Sequence, residues 1–262
     1  MRRRRAEYAS AADVVLLDTA LGSENSGDQI IMQACDSVCF SLWGGVELKR
    51  IPTHYYVEES ECLADKVKIL CGTNIIWKNM EEQVQWALPN DLHSYQNVCL
   101  LGVGLSDIGI EQESSSYTKL LYHTLLSQNM LHSVRDERAK QYLNSIGLNN
   151  VVNTACPTMW SLTPELLSQI PKKKGKRVLT SITDYCFSPE EDLEMLEILQ
   201  QEYEHVTIWV QGSHDIDWCL SQIVDLNEFE LIGPSIRDLD AVLADPDLDY
   251  VGTRLHAGIR CL

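Results

Sequence analysis

Positive charge is scarce in this chain. Its 262 residues carry 21 lysines and arginines against 38 aspartates and glutamates, a formal net charge of −17. Phosphodiester backbones need a basic footprint, so nucleic acid is excluded as a main partner. An anionic ligand would have to be drawn in by locally placed cations against the overall field. Long apolar runs are missing as well. No stretch approaches the roughly 20 residues that span a bilayer. The start, Met1-Arg-Arg-Arg-Arg5, is basic, but Ala6-Glu-Tyr-Ala-Ser-Ala-Ala-Asp13 supplies no apolar core for a secretory signal. It reads as a short solvated tail. Nine cysteines include no Cys-x-x-Cys pair, which argues against a disulfide framework and against a structural zinc site. Cys35 and Cys39 on a predicted helix, and Cys71 and Cys99 in apolar strand patterns, read as small core residues in a reducing, cytoplasmic setting. Neither Gly-x-Gly-x-x-Gly nor a P-loop occurs, so a dinucleotide site is not indicated.

What is present is an alternation of apolar and amphipathic segments. Strands are predicted at 13–18, 67–71, 98–104 and 131–134, and helices at 28–42, 117–126 (with Leu120, Leu121, Leu125 and Leu126 on one side) and 137–146, the last stopped by Gly147. The pattern pauses between Pro157 and Lys176, then resumes with strands at 177–183, 206–210, 229–232 and 248–251. Helices are predicted at 215–224, at 236–243 and from Ser188, where serine can cap and Pro189 suits the first helical position. Strands apolar on both faces between helices imply α/β layers around parallel sheets. We read an N-terminal domain over 1–165, a linker over 166–176 that holds most of the basic run Lys172-Lys-Lys-Gly-Lys-Arg177, and a C-terminal domain over 177–262. Such sheets bind ligands at the carboxyl ends of their strands. Here those ends carry Gly22–Gly27, Gly72-Thr-Asn74, Gly102–Gly104, Thr183-Asp184 and Gly252-Thr253.

The final run, Val251-Gly-Thr-Arg-Leu-His-Ala-Gly-Ile-Arg-Cys261, is the most informative. A strand meets Gly252 and Thr253, and a helix opens on Arg254 and His256. Thr253 is a good N-cap by residue type. Arginine at a helix N-terminus is mildly unfavourable, and an anionic ligand would turn that liability into a binding site. The bland alternative pairs Arg254 with Asp249 and packs His256 in the helix. Other positions also carry two readings. Thr73 and Asn74 could bind hydroxyls or satisfy their own turn. Asn25, Ser26 and Gly27 form a turn whose N–H groups open onto the ligand side of the first helix, with Gly27 admitting close approach. Gln211 is presented at a strand end. His214, Asp215 and Asp217 superficially resemble a metal pair, although a helix cap is the simpler reading and no metal is expected. Trp160 and Trp209 could stack on sugars or pack in the core.

Four stretches together resemble one family. Glu24-Asn-Ser-Gly-Asp28, His132-Ser-Val-Arg-Asp-Glu137, Asn153-Thr-Ala-Cys-Pro-Thr-Met-Trp160 and Gly252-Thr-Arg-Leu-His-Ala-Gly258, in this order, resemble the motifs of the polysaccharide pyruvyl transferases. The resemblance implies two Rossmann-like domains in a GT-B-like arrangement. Family members generally continue past the Arg-Leu-His helix, so the second domain is expected to be cut short here. It implies transfer of pyruvate from phosphoenolpyruvate, as a ketal, to hydroxyls of a glycan or glycolipid sugar, with no cofactor beyond that donor. The alternatives are a glycosyltransferase of the same architecture using a nucleotide sugar, or a non-catalytic remnant that binds a sugar or a partner. The expected catalytic residues are His256, as acid or phosphate holder, Arg254, and Asp28, as base toward the sugar hydroxyl. Arg135, Leu255, Thr253, Asn25, Gly27, Thr73, Asn74 and Gln211 are the expected substrate contacts. Arg135 has its own local alternative, a pair with Glu137 or another nearby carboxylate. The expected partners are phosphoenolpyruvate and a saccharide in the cytoplasm, with contact to a membrane-linked glycan only peripheral.

Overall fold

The computed structural model describes residues 10–58, 63–83, 85–93, 95–106, 111–183 and 188–262. The basic start and Asp184 lie outside the described residues. The chain divides into two compact units, one comprising Met1–Ser23 with Ile31–Pro157, the other Glu24–Ile30 with Thr158–Leu262. Each contains a parallel sheet with helices on both faces.

The first unit holds β1 (Val14–Asp18), most of α1 (Ser26–Leu42), β2 (Lys49–Pro52), β3 (Val67–Cys71), β4 (Val98–Leu101), α2 (Ser116–Leu125), β5 (His132–Val134), α3 (Glu137–Ser145) and β6 (Val151–Asn153). Four strands run in the order β2-β1-β3-β4, all parallel. A parallel bridge between Val103 and Val134 joins the β5-β6 pair to this sheet. The two-residue period of β1 divides the core. Val15 and Leu17 face the cluster that contains Leu121, Leu125 and Leu143 of α2 and α3, while Val14 and Leu16 face Ile31, Cys35 and Cys39 of α1. Ser115 and Asp136 cap α2 and α3, accepting from the N–H groups of Thr118 and Ala139 at 3.0 and 2.7 Å.

The second unit holds α4 (Pro164–Leu167), β7 (Arg177–Thr180), α5 (Pro189–Glu202), β8 (His205–Trp209), α6 (Asp215–Gln222), β9 (Glu230–Ile232), α7 (Ile236–Leu243), β10 (Leu248–Tyr250) and α8 (Leu255–Cys261). Its strands run parallel in the order β10-β7-β8-β9. Leu179 and Trp209 pack under α7 and α8, and Val178, Val206 and Ile208 pack under α5 and α6. The chain order reverses between β1 and β3 in the first unit and between β7 and β10 in the second. The crevice outside the carboxyl ends of the strands at such a reversal is the favoured ligand position of an open α/β sheet.

Several expectations need correction. Leu120 is 68% exposed, because Thr118, Leu121, Tyr122 and Leu125, at positions i, i+3, i+4 and i+7, form the buried face of α2. Ser188 gives no side-chain cap to α5; instead its backbone N–H donates to Asp192 at 3.0 Å. Helix α1 starts at Ser26, two residues earlier than expected. The basic run stays largely exposed, with Lys174, Lys176 and Arg177 pairing at the surface with Glu202, Glu204 and Glu230. Trp209 is wholly buried and its indole N–H donates to the Gly233 carbonyl at 2.9 Å, which settles it as core.

Candidate functional site

In the first unit the carboxyl ends of β3, β4 and β5 form one group of residues. Thr73 holds the left-handed backbone conformation (φ 55°), rare for a β-branched residue. Its carbonyl accepts the Gly104 N–H at 2.8 Å, and the Gly104 carbonyl accepts the Ile76 N–H at 3.2 Å. Asn74 is thereby carried over Gly104 beside Arg135. A methyl group on Gly104 would lie 2.1 Å from Asn74 Oδ1 and 2.5 Å from Arg135 Nε, so only glycine leaves room for both. The Asn74 oxygen is buried and accepts no hydrogen bond. The Arg135 side chain is 16% exposed, and its nearest carboxylate, Asp136, stands off at 3.8 Å. Of the local alternative for Arg135, a pair with Glu137 or another nearby carboxylate, the structure shows the long Asp136 contact: Asp136 also caps α3, and Glu137 lies 3.5 Å from Lys140. A loosely paired guanidinium beside an unfilled amide acceptor suits a ligand offering both an anionic oxygen and a hydroxyl.

In the second unit, Arg254 lies where β10 returns beside β7. Its guanidinium is 2% exposed; Nε donates to the Ile182 carbonyl at 2.8 Å and Nη2 to Asp215 Oδ1. The local partner expected, Asp249, is engaged elsewhere, accepting from the Gly175 N–H at 3.1 Å and the Tyr203 hydroxyl at 2.9 Å. Thr253 is not the cap of α8. Arg254 occupies that position without a side-chain cap, and the Thr253 hydroxyl bonds Thr183 Oγ1 at 2.8 Å across the β7–β10 ends. His256 sits in the first turn of α8, half-buried, and Leu255 is 60% exposed.

The segment 24–30 groups with this unit. Ser26 N–H donates to the Gln211 carbonyl at 3.1 Å, and Ser26 Oγ donates to the Pro234 carbonyl at 2.5 Å. Asn25 Oδ1 accepts from the Gly27 N–H at 2.9 Å and from Gln211 Nε2 at 2.7 Å. The turn's N–H groups are thus largely satisfied within the chain, against the expectation that they open to a ligand. The close approach at Gly27 is made by Gln211, whose Nε2 would lie 2.7 Å from a methyl group there. Gln211 is buried, with its Oε1 accepting no hydrogen bond. Asp28 is buried in the first turn of α1, where a carboxylate offsets the helix dipole. Asp215 belongs to no metal pair with His214. Its Oδ2 accepts from the N–H groups of Gln211 and Gly212 at 2.9 and 2.8 Å, while His214 is exposed and 3.9 Å from Asp217.

The structure therefore joins Asn74 with Arg135 in one unit, and Asn25, Gln211 and Arg254 through Asp215 in the other. A sequence model described as polysaccharide pyruvyl transferase matches residues 25–262, nearly the whole chain. The chain belongs to the polysaccharide pyruvyl transferase family. No curated protein matches it. Membership in the pyruvyl transferase family carries transferase activity and a saccharide acceptor with it. Among the described residues, no helix is long and apolar enough to cross a membrane. The pairing of Asp215 with Arg254 is not legible in the sequence, because Asp215 sits in what reads as an ordinary helix start and Arg254 lies 39 residues away.

Proposed function

We propose that this chain transfers pyruvate from phosphoenolpyruvate to two hydroxyls of a saccharide, forming a ketal and releasing phosphate. The observation that carries the reading is the position of the family-matching run Arg254-Leu-His256 at the β7–β10 reversal, where an open α/β sheet takes its ligand. The donor bears about three negative charges, from a phosphate near −2 and a carboxylate. In this reading Arg254 and Arg135 are its cationic contacts, and charge-assisted hydrogen bonds of that kind contribute roughly 1.5–3 kcal/mol each. Proton transfer to the methylene carbon gives an oxocarbenium-like centre. One sugar hydroxyl adds there, and the second displaces phosphate to close the ketal.

His256 is the group that either delivers the proton or holds the phosphate as imidazolium. Asp28 takes the proton of the attacking hydroxyl. Asn74 and Thr73 orient acceptor hydroxyls, the Asn74 oxygen supplying a ready acceptor. Asn25, Gly27 and Gln211 shape the turn that carries Asp28, and Thr253 and Leu255 flank the arginine. A cytoplasmic setting, where thiols stay reduced, belongs to the same reading.

The test is phosphate release from phosphoenolpyruvate with a panel of saccharides, comparing wild type with His256→Ala. Saccharide-dependent release that the variant loses supports the proposal, and equal background release from both proteins sinks it. A thermal-shift comparison adds a second arm, since stabilisation by nucleotide sugars alone would point to a glycosyltransferase.

A further inference from the structure

The second unit contains one buried arginine among the described residues, and its position is set by a carboxylate outside the family-matching motif. Asp215 is 4% exposed and opens α6. One of its oxygens gathers the Gln211 and Gly212 N–H groups at the end of β8. The other meets Arg254 Nη2 at the end of β10, while Arg254 Nε is bonded to the Ile182 carbonyl beyond the end of β7. One carboxylate thus ties together three strand ends. A free arginine side chain has four rotatable bonds and loses rotamer entropy when it binds an anion. Two fixed nitrogens remove most of that loss in advance, which is how preorganisation raises affinity.

We infer that Asp215 is a positioning residue of the donor site: it holds the Arg254 guanidinium in one orientation at the β7–β10 reversal. The inference rests on the reading of Arg254 as a contact of phosphoenolpyruvate. Asp215 touches no substrate and acts on the donor through Arg254. Any donor atom therefore meets an arginine whose plane is already set by the chain. Asparagine at 215 keeps the shape and one acceptor oxygen but removes the charge that fixes the guanidinium.

The test measures phosphoenolpyruvate affinity by calorimetry for wild type, Asp215→Asn, Arg254→Lys and the double variant, with unfolding midpoints measured in parallel. Asp215→Asn is expected to weaken binding about 10- to 100-fold, within the range of couplings inside one ion-pair network. In the Arg254→Lys background the same change should cost little more, because the fork it positions is gone. Among the variants, either of two results overturns the inference. One is a folded Asp215→Asn protein that binds like wild type, its loss confined to the midpoint. The other is a pair of losses that simply add. A wild type that binds no phosphoenolpyruvate removes the functional reading, and this inference with it. Binding by wild type that survives Asp215→Asn removes the inference alone. Should the variants fail to fold, wild type suffices: a solvent-protected arginine Nε–H resonance, expected from the Nε bond to Ile182, must shift when phosphoenolpyruvate is added. If it does not move, the positioned Arg254 is not at the donor.

Discussion

Substituting Gly104 by alanine probes the first unit with a single methyl group. The added carbon would sit 2.1 Å from Asn74 Oδ1, 2.5 Å from Arg135 Nε and 3.1 Å from Arg135 Cδ. Ordinary contacts start near 3.4 Å, so both side chains must retreat by about 1 Å, enough to cost up to roughly 100-fold where geometry governs binding. The backbone cannot yield in their place. Gly104 is tied on both sides, by its N–H to the Thr73 carbonyl and by its carbonyl to the Ile76 N–H. Overpacking of this kind costs about 1–3 kcal/mol. Urea unfolding should show a loss of that size, and calorimetry should show phosphoenolpyruvate affinity down by about 10- to 100-fold. Adding Asn74→Ala removes the 2.1 Å collision, so part of the stability should return while donor affinity stays low. A Gly104→Ala protein with unchanged midpoint and unchanged affinity would refute the reasoning, because Asn74 and Arg135 would then not be held over that glycine.

Three further outcomes are expected. Asn25→Ala removes the acceptor of the Gly27 N–H at the start of α1 and should lower stability by about 0.5–2 kcal/mol in denaturant titration. Lys68 is buried in β3 with its ammonium donating to the Gln96 carbonyl, and desolvation brings its pKa down from 10.5 to about 8. Between those values the unfolded chain binds the extra proton, so stability should rise with pH from about 8 to 10.5, by at most about 1.4 kcal/mol per unit. Lys68→Met should flatten that rise and raise the unfolding midpoint at pH 7. His132 is buried in β5, its Nδ1 accepting the Leu100 N–H at 3.2 Å, and desolvation holds its pKa below 6.5. The unfolded chain therefore takes up the proton first as pH falls. The stability present above pH 6.5 should decline below it, and His132→Gln should lessen the decline between pH 6.5 and 5.5.

Much of the sheet architecture was legible because central parallel strands are covered on both faces and read as unbroken apolar runs. Val14–Asp18 and Val67–Cys71 are such strands. The edge strand β2, Lys-Arg-Ile-Pro, was not legible. It pairs on one side only, so it tolerates charge and a proline and carries no periodic signal. β6, Val-Val-Asn, was not legible either.

The site divides along the same line, between what is local and what is not. Residue types at the strand ends announced a glycine turn, an arginine and a histidine, because each is dictated by neighbours in sequence. Their partners were hidden. A parallel sheet sets side by side strands that a crossover separates by dozens of residues. The carboxylate nearest Arg254 in the chain, Asp249, belongs to β10 and serves Gly175 and Tyr203. The one that reaches the guanidinium, Asp215, follows β8, two strands away in the sheet. Thr253 fails as a cap for the same reason, since its hydroxyl meets Thr183 beyond the end of β7 before it can turn toward its own helix. At the carboxyl ends of a parallel sheet, residue identity is thus a local property and pairing is a topological one. A net charge of −17 constrains neither, because one buried aspartate decides how the arginine beside it is oriented.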